Sequence, residues 1–197
     1  GGVGNKLKMA DGEFVIDTQP VASNEELLFF TTAGNVYHYA ISNLTFGEKI
    51  YVQALFNIPD WDSVCAITST SKKELKPYIL FFTKKGMVKK SEIGEYNLAR
   101  KAALKALTLD SGDEIVNVLF MKEERVGILT EMGNFIMIET ADIRPIGRIA
   151  KGVKAIKLND GDNVANARII PMDTISIASI SGGGLFKKTG IEEFAVQ

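Results

Sequence analysis

The sequence predicts an all-β, propeller-like protein, on three observations. Two half-motifs alternate along the whole chain with a period of about 50 residues. Each half-motif joins two short β-rich runs across turn-forming residues. Helical periodicity is almost absent between them. Four strands in about 50 residues make one blade of a propeller, whose sheets bury their faces against their neighbours, so about four four-stranded blades fit the 197 residues.

The first half-motif is an apolar run, Thr or Ser, a glycine and a second β-rich run. It reads LLFFTTAGNVYHY around Gly34, ILFFTKKGMVKKSEIGEY around Gly86, VGILTEMGNFIMI around Gly133 and SIASISGGGLFKKTGIEEF around Gly184. The second is an alternating stretch with an acidic glycine turn: KLKMADGEFVID, ALTLDSGDEIVNVLF and AIKLNDGDNVANARII, with a degenerate copy, VQALFNIPDWDSVCAI. Each half is expected to be a hairpin, closed at Gly34, Gly86 or Gly133 in one kind and at Asp11-Gly12, Ser111-Gly112 or Asp160-Gly161 in the other. The chain opens with a second half and closes with a first half. Either its ends complete one blade, Gly1 to Asp17 pairing with Phe186 to Phe194, or it is a piece of a longer array. Residues 1–197 are expected to be a single domain from within a longer subunit.

Composition narrows the function classes. No apolar run approaches the roughly 18 residues of a membrane span, and nothing near Gly1 resembles a signal peptide. Cys65 is the sole cysteine and His38 the sole histidine, which excludes an internal disulfide and a multi-Cys zinc site and fits a reducing, cytoplasmic compartment. With 23 Lys and Arg against 24 Asp and Glu the net charge is -1, so any electrostatic function needs an uneven distribution of charge.

Catalytic constellations are missing. Tyr37, Tyr39, Tyr51, Tyr78 and Tyr96 sit on or beside strand-like runs and are expected to pack. The acids around Gly112 and Gly161 lack the spacing of a calcium loop, and Gly182-Gly183-Gly184 lacks the Lys-Ser/Thr of a phosphate cradle and reads as a tight turn. Cys65 reads as core, Trp61 as packing across a loop, and His38 as structural or rim-facing. No cofactor and no metal are implied.

The stretches FFTKKGMVKKSEIGEY (81–96), LKALTLDSGDEIV (104–116) and IRPIGRIAKGVKAIKLNDGD (143–162) resemble the C-terminal β-pinwheel domain of bacterial type IIA topoisomerases, found in the A subunit of gyrase or in its topoisomerase IV counterpart. The last is similar to the family's Met-Gly-Arg and Gly-Val-x-x-Ile-x-Leu-x-x-Gly-Asp pattern, here Ile146-Gly147-Arg148 and then Gly152, Val153, Ile156, Leu158, Gly161 and Asp162. The resemblance runs through nearly the entire chain in blade order. It implies a disc of blades that exchange strands, with a basic rim around which duplex DNA bends. It also implies two further partners within an ATP-dependent topoisomerase, the ATPase subunit plus the cleavage part of the same polypeptide. Gly1, Gly2 and Gly4 occupy the places of the glycines in the gyrase box Gln-Arg-Arg-Gly-Gly-Lys-Gly, but Val3 replaces its Lys, which leaves gyrase-like wrapping and topoisomerase IV-like bending both open.

A rim that bends DNA without reading bases needs Lys and Arg along a curved path, because counterion release at phosphates supplies the affinity. Three clusters are the candidates: Lys84, Lys85, Lys89 and Lys90 with Arg100, Lys101 and Lys105; Arg144, Arg148, Lys151 and Lys154; and Lys187 with Lys188. The acids at the turns (Asp110, Asp113, Glu114, Asp160 and Asp162) are expected at blade corners away from these cations. After Gly86 and Gly184 the strands read MVKK and LFKK, whereas after Gly34 and Gly133 they read NVYHY and NFIMI. DNA is therefore expected to be gripped by the second and fourth hairpins and the Arg144 to Lys154 loop. Adjacent Lys89 and Lys90 point to opposite faces of their strand, so at most one meets a given phosphate. Lysines on an edge strand also guard against edge-to-edge association. The rival reading is a propeller used as a protein-interaction scaffold without DNA binding.

Overall fold

A computed structural model describes residues 18–70, 76–96, 103–194 and 196. In chain order it runs β1 (Glu26–Thr31), β2 (Asn35–Ala40), α1 (Val52–Phe56), β3 (Val64–Ser69), β4 (Tyr78–Thr83), β5 (Met87–Glu92), β6 (Leu104–Lys105), β7 (Ile115–Met121), β8 (Arg125–Thr130), β9 (Phe135–Glu139), β10 (Val153–Lys154), β11 (Val164–Ile170), β12 (Ser176–Ile180) and β13 (Phe186–Gly190), with single 3₁₀ turns after several strands. The chain is all-β, as its repeats predict.

The four first half-motifs are the antiparallel hairpins β1–β2, β4–β5, β8–β9 and β12–β13. Their tips share one chemistry. Gly86 takes φ +83°, a conformation costly for any residue with a Cβ, and its N–H donates to the Thr83 carbonyl at 3.0 Å. The Thr83 hydroxyl then accepts from the Met87 N–H at 3.2 Å. The same hydroxyl bond forms from Asn35 to Thr31, Asn134 to Thr130 and Leu185 to Ser181. The Thr/Ser-x-x-Gly spacing is thus a self-closing turn.

The acidic-turn halves around Gly112 and Gly161 are not hairpins, which corrects the sequence expectation; the hairpin expected at Asp11-Gly12 lies outside the described residues. Their two arms pair with different sheets: β6 lies against β2, while β7, the next strand, lies against β4. Likewise β10 lies against β5 and β11 against β8. The turn is a crossover that hands the chain from one sheet to the next. The sheets therefore read β3-β1-β2-β6 and β10-β5-β4-β7, each four-stranded, then β11-β8-β9 and β12-β13, among the described residues. The degenerate copy departs further. Where the others have an exchanged strand it forms α1, ended by Asn57 in the left-handed region (φ 52°), and Phe56 stacks on Tyr37 at 4.8 Å.

In each described crossover an aspartate after the turn locks it onto a hairpin tip. Asp62 accepts from the Ala33 N–H (2.9 Å), the Thr32 hydroxyl (3.0 Å) and the Ser63 N–H (2.9 Å). Asp113 accepts from the Lys85 and Glu114 N–H groups, and Asp162 from those of Met132 and Asn163. These carboxylates satisfy tip donors that the hairpins cannot satisfy themselves.

The core lies between sheets. Leu28, Phe30, Ile79, Phe81, Tyr96 and Leu107 bury the contact between the first and second hairpins, with Phe30 set 5.6 Å from Phe81 and 5.7 Å from Tyr96. Leu80, Phe82, Val126, Ile128 and Ile138 bury the contact between the second and third. Cys65 is half-buried beside the first of these clusters. Trp61 and Tyr51 are exposed, against the packing role expected of them.

Candidate nucleic-acid interface

The exchanged strand β6, with the residues after it, and the loop leading into β10 meet beside β5 of the second sheet. Ile146 donates its N–H to the Lys90 carbonyl at 2.9 Å, and the Ser91 hydroxyl donates to the Ile146 carbonyl at 2.7 Å, which pins the start of the loop to β5. The loop then runs beside residues 105–110. The Thr108 hydroxyl donates to the Ile149 carbonyl at 2.7 Å, Arg148 Nη1 donates to the Lys105 carbonyl, and Lys151 pairs with Asp110. Gly152 lets β10 approach β5, since a Cβ there would collide with the Val88 carbonyl. Lys105, Arg148 and Lys151, up to 46 residues apart in the chain, thereby share one ridge. No sequence feature marks Thr108 as part of this zipper, because its partners lie 41 residues away.

The remaining candidates among the described residues fall into three groups. Arg144, Lys154, Lys187 and Lys188 are exposed. Lys84 and Lys85, at the tip of the second hairpin, are also accessible but are engaged: Lys84 pairs with Glu114 at 2.8 Å, and Lys85 Nζ donates to the Ser111 carbonyl at 2.6 Å. Hydrogen bonding to Glu114 raises the Lys84 ammonium above its usual value, and Lys151 holds the Asp110 carboxyl below its own. The expected separation of acids from cations therefore fails here: the crossover that carries Asp110, Asp113 and Glu114 is the element that locks onto the lysine-bearing tip.

Lys89 and Lys90 are a correction. Both are 1% exposed and neither is a rim cation. They do point to opposite faces of β5, as strand geometry requires. Lys89 Nζ donates to the Tyr96 hydroxyl (3.1 Å), the Ala106 carbonyl (2.8 Å) and the Arg148 carbonyl, and lies 5.5 Å from the Phe81 ring centre. Burial, helped by the charge of Arg148, brings its ammonium down to about 7. Lys90 Nζ donates to the Thr140 carbonyl (2.8 Å), pairs with Glu123 (3.1 Å) and sits 4.2 Å from the Tyr78 ring centre. Each long stem crosses an apolar contact to reach carbonyls at its edge.

His38 holds the same place in the first hairpin that Lys90 holds in the second. It is buried, neither ring nitrogen has a hydrogen-bond partner among the described residues, and desolvation lowers its imidazole below the usual value. Arg100, Lys101 and the box glycines Gly1, Gly2 and Gly4 lie outside the described residues, as does the suggested pairing of residues 1–17 with the last hairpin. Among the described residues no three His, Cys, Asp or Glu side chains converge as a metal would need, and no helix is long and apolar enough to cross a membrane.

The family described as DNA gyrase C-terminal domain, beta-propeller, matches residues 25–44, 77–120 and 128–171, more than half of the chain. The A subunit of DNA gyrase from Helicobacter pylori (strain ATCC 700392 / 26695) is 31% identical over 194 residues, which span 95% of this chain and 23% of that protein. Its counterpart from Mycolicibacterium smegmatis (strain ATCC 700084 / mc(2)155) is 28% identical over 183 residues, 89% of this chain and 22% of that protein. The chain thus spans under a quarter of the length of these relatives. Among solved structures, the C-terminal domain of a DNA topoisomerase IV superposes with a TM-score of 0.81 at 24% identity, covering 89% of this chain and 56% of that one. The E. coli ParC C-terminal domain does so at 0.74 and 17%, covering 89% and 74%.

Proposed function

Because the chain belongs to the DNA gyrase C-terminal domain, beta-propeller, family, we propose that it is a non-catalytic DNA-binding domain of a type II topoisomerase. It bends or wraps duplex DNA along a basic edge and presents it to the cleavage part of the same polypeptide, with a separate ATPase subunit completing the enzyme in the cytoplasm. Residues 1–197 act in this as one domain. The observation that carries the reading is the ridge between the first and second sheets, where two crossovers bring Lys105, Arg148 and Lys151 together. Arg144 and Lys154, exposed before and after Arg148 in the chain, and Lys84, Lys85, Lys187 and Lys188 are further surface cations. Lys89 and Lys90 take no part in phosphate contact.

Cations fixed on backbone-anchored segments neutralise phosphates without reading sequence. Fluorescence anisotropy of the chain with duplexes of unrelated sequence, titrated with salt, tests the reading. Contact with about six phosphates gives a log–log salt slope of about -5 and little difference among duplexes. A flat response would overturn DNA binding in favour of a protein-interaction scaffold.

A further inference from the structure

The ridge is built over Lys89, a side chain the functional reading leaves unused. We propose that Lys89 is a positioning residue: its buried ammonium ties the Arg148 loop to β6 and so sets where the ridge cations meet phosphate. The inference rests on the DNA-binding reading of that ridge.

Three acceptors surround Lys89 Nζ, and they come from three separately folded pieces of chain. The Tyr96 hydroxyl belongs to the 3₁₀ turn after β5, the Ala106 carbonyl to the residue after β6, and the Arg148 carbonyl to the loop before β10. The ammonium, with three N–H groups, can donate to all three at once, while the Tyr96 hydroxyl donates in turn to the Ala106 carbonyl at 3.0 Å; a neutral amine has two N–H groups and no charge, so its hold on the Ala106 and Arg148 carbonyls is weaker. The Arg148 carbonyl belongs to the residue whose guanidinium bonds the Lys105 carbonyl. Lys89 therefore holds Arg148 from below while Arg148 reaches across to β6 above, and both ties join the same two segments. The buried site makes the arrangement sensitive to protonation. Phe81 and Tyr96 line it, Arg148 opposes the charge and Glu95 favours it, and with burial dominant the ammonium titrates at about 7. The charged, three-donor form thus prevails below that value and the two-donor form above it.

The sequence element that places Lys89 here is the Val-Lys-Lys run of β5, in which the first lysine pairs across the hairpin with Phe81 and so faces the cluster containing Tyr96 and Ala106. The corresponding Lys187 pairs across its hairpin with Ser179 and is exposed, so the placement belongs to the covering segments and not to the motif.

The test is a double-mutant cycle on duplex affinity with the chain, using Lys89→Met, Arg148→Ala and the pair. Methionine keeps the apolar stem and removes the donors. If Lys89 acts through the loop, Lys89→Met weakens binding about fivefold at moderate salt and adds nothing in the Arg148→Ala background. An undiminished loss in that background, or no loss at all, would overturn the proposal. Should Lys89→Met not fold, the unmodified chain supplies the answer. Its affinity must fall several-fold from pH 6 to pH 8.5 as the ammonium is lost, and a flat profile overturns the proposal. If the unmodified chain binds no duplex, the functional reading fails and amide hydrogen exchange decides the positioning role. Faster exchange at Ile146 and Ala150 in Lys89→Met sustains it, and unchanged exchange ends it.

Discussion

The second and fourth hairpins carry the same Lys-Lys pair at the same distance from the tip glycine, yet the structure uses the pairs oppositely. In β5, Lys89 and Lys90 are 1% exposed; in β13, Lys187 and Lys188 are exposed. The difference is what lies on the strand. β5 is covered by β10 and by the loop that precedes it, and neighbouring segments supply the carbonyls of Ala106, Thr140 and Arg148. Among the described residues β13 pairs only with β12, and Phe186, Leu185 and Ile180 beside it stay exposed. A buried ammonium is tolerable only where acceptors replace its water; those of Lys89 arrive with the exchanged segments, and those of Lys90 with the turn after β9 and Glu123.

That comparison can be broken most severely at Gly152. Gly152→Ala puts a Cβ against the Val88 backbone, so β10 must lift from β5, at a cost of more than about 3 kcal/mol. Lysine acylation followed by mass spectrometry should then find Lys89 as reactive as Lys187 and Lys188, whereas in the unmodified chain it is protected. Next in size, Lys90→Ala leaves the Thr140 carbonyl and a cavity uncompensated and should cost about 3 kcal/mol in urea unfolding. Lys188→Ala should stay within about 0.5 kcal/mol, as for other exposed sites. Equal costs would mean that the two hairpins are not differently covered.

Duplex affinity should reverse the ranking. Lys187→Ala and Lys188→Ala each reduce the magnitude of the salt slope by about 1 if they meet phosphate, while Lys90→Met leaves it unchanged. The smallest effect concerns His38, the first hairpin's counterpart of Lys90. Its imidazole is lowered by burial, so the neutral form is favoured in the fold. Stability is therefore present above the unfolded imidazole value, near 6.5, and declines as pH falls through the folded one. The urea midpoint should drop between pH 7 and pH 5.5, and His38→Leu should flatten the profile.

Local chemistry made part of this fold legible. The Thr/Ser-x-x-Gly tips close on themselves within five residues, so the four hairpins and their spacing can be read directly. The acidic turns look equally local, and there the reading as hairpins fails. An alternating run shows that it will pair, but its partner is chosen by the tertiary fold: β6 finds β2 some 70 residues earlier. The copy that became α1 shows the same limit, since VQALF carries no turn signal and takes its conformation from packing on Tyr37 and Phe29.

The candidate interface divides in the same way. Its cations could be named from composition, and the Arg148 loop from its motif, but the Lys105, Arg148 and Lys151 ridge exists only because two crossovers run side by side. The primary structure by itself determined the repeat, the strand content and the tip geometry, because these depend on interactions within a few residues. Which sheet each crossover joins, which lysines keep their water and which lose it, and how acids and cations meet were decided by the tertiary structure. Those outcomes depend on chain segments about one repeat apart and on the solvent that they exclude.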